Sequence, residues 1–405
     1  MVRNLIILFI FFGSANFFMF TFIPRQMLLL LSFASNILML TGIALTLVYY
    51  KGKWFPQKFG VEVGLIFLSL ALAVYGAKWG HGQGFGLSIW ALNFMYFYLL
   101  YFFLHTVRVK PEDLEKLLIF MGIIYIGFFM GQYVLYPTIL FDSRISEDRG
   151  TIRVFIPGAA FAGLVFYLFL QKTFTTGNKL FLLFCLSFMI IPLLQGTRSS
   201  TLTTLLGAFI YILGSKRVKS KLLVSLMITA AVAIIFFLFN DLIMNLIQVS
   251  EEQASQEGED IRIRATKFFL TDFNPTPLNY FIGNGESHMM APYGMRVSYY
   301  KTQFGFYQSD IGVIGNYVRF GVIYLLAVFL IFRKFFTLKI EPRYGYLKFW
   351  ALLLILAEIL GGAFTRQTTI AVIASVMYIY DVSNYELRYP NDMTENEHIT
   401  DNNEV

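Results

Sequence analysis

The chain has 405 residues, of which 57% are hydrophobic and 14% charged, and its mean hydropathy is positive. An ordinary soluble domain carries about 25% charge, so this composition excludes a water-soluble globule and predicts an all-α polytopic membrane protein. The net charge of +7 does not point to nucleic acid, because the basic residues fall in short links between apolar runs. A single cysteine, Cys185, excludes a disulfide framework or a cysteine metal site within one chain.

Apolar runs fall near 4–23, 27–50, 61–77, 84–107, 115–136, 154–171, 179–196, 199–215, 221–245, 308–332, 346–365 and 367–384. A bilayer span needs about 20 mostly apolar residues, so the runs predict about twelve transmembrane helices. The first run is followed at once by Pro24, Arg25 and a second run, which argues against a cleaved signal peptide. Alternate links differ in their Lys and Arg. The five containing Lys58, Lys110, Lys172, Lys219 and Arg343 hold seventeen basic residues in all, and the other short links hold seven. The positive-inside rule then puts both termini in the cytoplasm of a plasma (inner) membrane.

Four regions follow from this pattern: spans 1–9 over residues 1–245, an external loop over 246–305, spans 10–12 over 306–384, and a polar, disordered cytoplasmic tail over 385–405. The loop is helix-compatible up to Phe273 and rich in turns after Asn274-Pro275. Its aromatic residues, among them Phe268, Phe269, Phe273 and Tyr293, predict a folded cap on the membrane domain.

No nucleotide-binding, zinc-protease or nucleophile-elbow motif is present. The first external link, Ile23 to Met27, lacks the carboxylate that metal-dependent multispan glycosyltransferases need. The four histidines are scattered at 81, 105, 288 and 398, so neither metal nor cofactor is expected. Arginine on the external side stands out instead: Arg153 in Arg149-Gly-Thr-Ile-Arg153, at the outer start of the sixth span; Arg198 in Gln195-Gly-Thr-Arg198-Ser-Ser; and Arg264 in Arg264-Ala-Thr-Lys-Phe268-Phe269. Guanidinium forks bind phosphate bidentately and stay charged at any working pH. Three of them around one cavity would make a diphosphate site.

At these residues the chain resembles bacterial O-antigen polymerases and O-antigen ligases. Gln-Gly-Thr-Arg198-Ser-Ser is similar to the signature that opens a span in that family. Arg264-x-x-x-Phe268, with Gly283-Asn-Gly285 after it, is similar to its Arg-x-x-x-aromatic helix and Gly-x-Gly turn. Gln308-Ser-Asp310-Ile-Gly312, leading to Arg319-Phe-Gly321, resembles its polar dipeptide ahead of a glycine-aliphatic run. The likeness covers roughly residues 149–335. Ligases carry His-Asn where this chain has Ser309-Asp310, and this departure favours polymerase.

The resemblance implies transfer of a glycan from undecaprenyl diphosphate to a hydroxyl of another lipid-linked repeat unit, building O-antigen, capsule or exopolysaccharide. It implies membrane lipids, a flippase and a chain-length regulator as partners. It assigns Arg153, Arg198 and Arg264 to the departing diphosphate, where fixed positive charge favours the transition state. Asp310 is the candidate base, or else a helix cap. His288 and Arg319 are further candidates for contact with the diphosphate or the glycan. A ligase-like transferase and a lipid-linked oligosaccharide flippase are the alternatives. Arg319, well inside the tenth span, is expected to pair with Glu358 in the eleventh, because a lone buried charge is costly.

Overall fold

The computed structural model describes residues 2–49, 57–148, 151–195, 197–215, 218 and 261–388. The run at 221–245, the loop up to residue 260 and the tail beyond 388 lie outside the described residues.

The chain begins with α1 (Val2–Ser14), α2 (Arg25–Tyr49) and α3 (Gly60–His81), followed by α4 (Phe85–Ala91), α5 (Leu99–Val107) and α6 (Pro111–Leu135). An antiparallel hairpin, β1 (Arg144–Asp148) and β2 (Thr151–Phe155), precedes α7 (Ala159–Thr176), α8 (Lys179–Leu194) and α9 (Arg198–Gly214). The loop supplies α10 (Ile261–Thr271), the single turn α11 (Asn279–Ile282) and α12 (Pro292–Phe304). The last three helices are α13 (Gly312–Thr337), α14 (Tyr346–Gly361) and α15 (Gln367–Arg388).

Among the described residues five helical stretches are long and apolar enough to cross a membrane: Arg25–Val48, Gly60–His81, Pro111–Leu135, Gln308–Thr337 and Pro342–Gly361. The run at 84–107 makes a sixth only as a broken helix, bent by 55° between α4 and the stretch that ends in α5. The runs at α1, α8 and α9 form apolar helices shorter than a span. Hydropathy cannot separate these classes, because a helix enclosed by other helices is apolar all round, as a lipid-facing one is. Helix α7 is enclosed in this way: every residue from Phe161 to Gln171 is buried, between α6, α8, α14 and α15. Helix α15 is buried throughout Ile370–Tyr380. In contrast, α2 exposes Leu29, Leu30, Leu47 and Val48, and α13 exposes Val322, Leu326 and Phe329. That is the surface lipid would cover.

The first run also breaks early. Helix α1 stops at Ser14, and Asn16 to Met19 all take positive φ, between 46° and 57°. A non-glycine residue pays about 1–2 kcal/mol for this conformation. The turn is held by Phe18, which is fully buried and edge-on to Phe12 and Phe128. Gln367 ties it further, its Nε2 donating to Gly13 O at 2.9 Å and to Ser32 Oγ at 3.0 Å.

Two ends of the bundle are polar. At one, Asp381 Oδ2 accepts from Tyr101 Oη, from the backbone N–H of Lys58 (3.2 Å) and from His105 Nε2 (3.1 Å), and Glu62 pairs with Lys334 at 2.6 Å. This knot fastens α3, α5, α13 and α15 together. The other end carries the loop and is called the loop end below.

Candidate functional site at the loop end

The loop folds as a second small core. Ala265, Phe269, Phe273, Ala291, Tyr293 and Phe306 pack with Ile311 and Val318 at the start of α13. Arg264, Phe268 and Phe269 lie on one helix, α10. Phe269 is fully buried, Phe268 is half-buried against Tyr300 and Phe306, and Arg264 is exposed with its guanidinium 5.9 Å from the Phe306 ring centre.

Beyond α11 the loop does more than cover the bundle. It enters it. Gly321, nine residues into α13 and so about 13 Å along its axis, has φ 75° and ψ −170°, which breaks the helix. The carbonyls of Val318 and Arg319, freed by the break, accept from Asn284 N (2.9 Å) and Gly285 N (2.8 Å) of the Gly283-Asn-Gly285 turn. Space at this crossing exists only for hydrogen. A Cβ on Gly76 of α3 would stand 1.9 Å from Gly283 O, and one on Gly321 would stand 2.1 Å from Phe281 O.

Buried side chains lock the turn. Asn284 Nδ2 donates to Val318 O (2.9 Å) and Asn274 Oδ1 (2.6 Å), so its Oδ1 is the acceptor for His81 Nε2 at 2.8 Å. The His81 proton therefore sits on Nε2, with the ring stacked on Tyr293 at 4.0 Å. Asn279 bridges Gly76 O and Gly283 O, and Gln83 accepts from His288 N while donating to Glu286 O.

Arg319 pairs not with Glu358 but with Glu286 of the loop, Nη1 to Oε2 at 2.8 Å. The expected direct Arg319–Glu358 pair is thus corrected. Asn316, one turn before Arg319, stands between the two: its Oδ1 accepts from Arg319 Nη2, and its Nδ2 donates to Glu358 Oε1 at 2.7 Å. Glu358 Oε2 accepts from Phe364 N at 2.7 Å, and Arg319 Nη2 also reaches Thr365 Oγ1 at 3.1 Å. The loop supplies a closer counter-charge than the neighbouring helix does.

The remaining candidates fall as follows. Asp310 is exposed on the 3-10 turn Gln308–Ile311 that α10 packs against, with Ser309 Oγ 3.2 Å from its carboxylate. It does not cap α13, whose N-cap residue is Ile311. Asp310 and Glu358 both act electrostatically on Arg366, an exposed residue whose Nη2 donates to Gly361 O at 3.0 Å. His288 is half-buried, and its Nδ1 accepts from Met290 N at 3.2 Å.

Arg153 lies not at the outer start of a span but on β2, opposite Ser146. The strand leaves its Nε facing the end of α8, where it donates to Gln195 O at 2.9 Å while Gln195 Nε2 donates to Val154 O at 2.7 Å. The hairpin thereby clasps the turn from which Arg198 opens α9. The Arg198 side chain lies outside the described residues. Candidate residues so fall into two groups: Arg264, His288, Asp310 and Arg319 around the loop and α13, and Arg153 at the turn before Arg198.

Two residues before the hairpin, Asp142 pairs with Arg25, which donates from Nη2 to Oδ1 at 2.8 Å. This bond holds the Asp142 carboxyl below its usual range. The contact therefore adds stability above the ordinary carboxylate pKa, and that stability is lost as pH falls through the depressed value. Hydrogen exchange of residues 140–148 is expected to stay slow in mild acid and quicken only below it; Asp142→Asn should remove this pH step.

Sequence reasoning missed Asn284, Glu286, Asn316, Thr365 and the role of His81. One signal was available, since Glu286 is the only carboxylate between Asp272 and Asp310. No known protein family matches the chain, and neither does any curated protein.

Proposed function

We propose that this membrane protein is a polysaccharide polymerase of twelve spans in the bacterial plasma membrane, with both termini cytoplasmic and the loop end outside. It joins undecaprenyl-diphosphate-linked repeat units without a metal ion. The observation that carries the reading is the docking of α10, bearing Arg264, on the turn that holds Asp310, above the Gly283–Gly285 insertion into α13. Two of the three segments that resemble the polymerase and ligase family, the Arg264 helix with its glycine turn and the Gln308–Gly312 stretch, are therefore neighbours in space as well as in order. Arginines 153, 198 and 264 are assigned to the diphosphate that departs from C1 of the donor sugar. Arg319 already directs Nη1, Nη2 and Nε to protein acceptors, so its part is to hold the site together.

The test is the purified protein in liposomes with purified lipid-linked repeat units. A ladder of lengthening products is expected. A single transfer without a ladder would favour a ligase. The break in α13 favours a second reading, a flippase, because transporters use broken helices around their substrates; relocation of the lipid without bond formation would establish that reading and sink the first.

Arg198→Ala is expected to abolish polymer at normal membrane abundance. Arg198→Lys, which keeps the charge but loses the fork, should lose most of it. Full activity of the alanine variant would remove Arg198 from the site.

A further inference from the structure

We propose that Glu286 is the base that takes the proton from the acceptor hydroxyl, and that Arg319 positions it; this rests on the polymerase reading. Three groups at the loop end compete for the role. A base must be held within reach of the hydroxyl and keep a lone pair free for its proton. His288 uses its Nδ1 lone pair on Met290 N, which leaves Nε2 as a donor when the ring is neutral. Asp310 stands exposed on a short turn with only the Ser309 hydroxyl on its carboxylate among the described residues.

Glu286 is built differently. Its backbone carbonyl is held by Gln83 Nε2 at 2.8 Å, one residue after a turn whose amides are bonded to α13. Its Oε2 is held by Arg319, which Asn316, Thr365 and Gly315 O hold in turn. The side chain is 23% exposed, against 11% for Arg319. Among the described residues Oε1 accepts no hydrogen bond, yet it is not enclosed. One carboxylate oxygen is anchored and the other is open, which is the arrangement a positioned base requires.

In the step so assigned, the acceptor hydroxyl oxygen bonds to C1 of the donor's reducing sugar as its proton passes to Glu286 Oε1. The bond from C1 to the diphosphate oxygen breaks, and undecaprenyl diphosphate leaves with the electron pair. Atoms and charge balance without an oxidant, a reductant or a nucleotide.

The experiment uses the full chain in liposomes with lipid-linked repeat units, with and without sodium azide, an acceptor that needs no base. Glu286→Gln should lower polymer formation by about 100-fold or more, the usual worth of a general base, while its loop resists trypsin as in the unaltered protein. Glu286→Ala with azide should release glycosyl azide and undecaprenyl diphosphate. If Glu286→Ala does not fold, the azide reaction is run on Glu286→Ala/Arg319→Leu, which leaves no unpaired charge. Polymer formation within tenfold of normal by a folded Glu286→Gln, or no glycosyl azide from either alanine variant, overturns the proposal while the polymerase reading stands. Absence of polymer from the unaltered protein overturns the polymerase reading itself.

Discussion

Arg319→Leu is expected to be among the most damaging single substitutions outside the arginines assigned to diphosphate. It removes the partner of Glu286 and takes one donor from each of the Asn316 and Thr365 oxygens, in a pocket where Arg319 is 11% and Glu286 23% exposed. Breaking a buried ion pair costs about 3–5 kcal/mol, while replacing both partners by apolar groups is often neutral. The partial exposure of Glu286 puts the expected cost near the lower bound, about 3 kcal/mol. This is a large part of a total stability of about 5–15 kcal/mol. The double variant Arg319→Leu/Glu286→Leu should therefore reach higher membrane abundance and a higher melting temperature in detergent than Arg319→Leu alone. Arg319→Leu/Glu358→Leu should gain no such rescue, because Glu358 separately holds Phe364 N and Asn316. Rescue by Glu358→Leu and not by Glu286→Leu would reverse the pairing described here.

Alanine at Gly283 or Gly321 is expected to expel the loop from the bundle. Each glycine has positive φ, 80° and 75°, and a Cβ at either would stand within 2.4 Å of a backbone carbonyl oxygen, that of Arg319 or of Phe281. Left-handed backbone costs a residue with a side chain about 1–2 kcal/mol, and overpacking adds about 1–3 kcal/mol. Backbone cannot rotate aside as a side chain would, so the two costs fall together. Gly76→Ala lacks the first but meets Gly283 O at 1.9 Å, and it should behave alike. The reference is Gly127→Ala on α6, where a Cβ meets nothing within 4 Å; there alanine should be harmless or slightly stabilising. Limited trypsin digestion reads the result: rapid cleavage at Arg296 or Lys301 in the first three variants, none in the reference. Equal resistance of Gly321→Ala and Gly127→Ala would mean that the insertion does not hold the loop.

Composition and periodicity by themselves determined that the chain is helical and membrane-borne, since 14% charge cannot cover a soluble surface. They also placed a helix over Arg264 and Phe269 and a glycine turn after it. The number of crossings was not legible in the same signal. Helix α7 is apolar because neighbouring helices enclose it, α2 because much of its surface faces outward, and hydropathy is blind to that difference. The residues that tie the loop end together were hidden for a second reason. Glu286 and Arg319 are 33 residues apart, and His81 and Asn284 are 203 apart. No local spacing brings such residues together. A loop that only rests on top as a cap makes Glu358 the nearest carboxylate for Arg319. Three glycines let it pass inside instead, and the nearest carboxylate then came from the loop. Which charge meets which is decided by backbone approach at a few ångströms, and that is a property of the assembled fold.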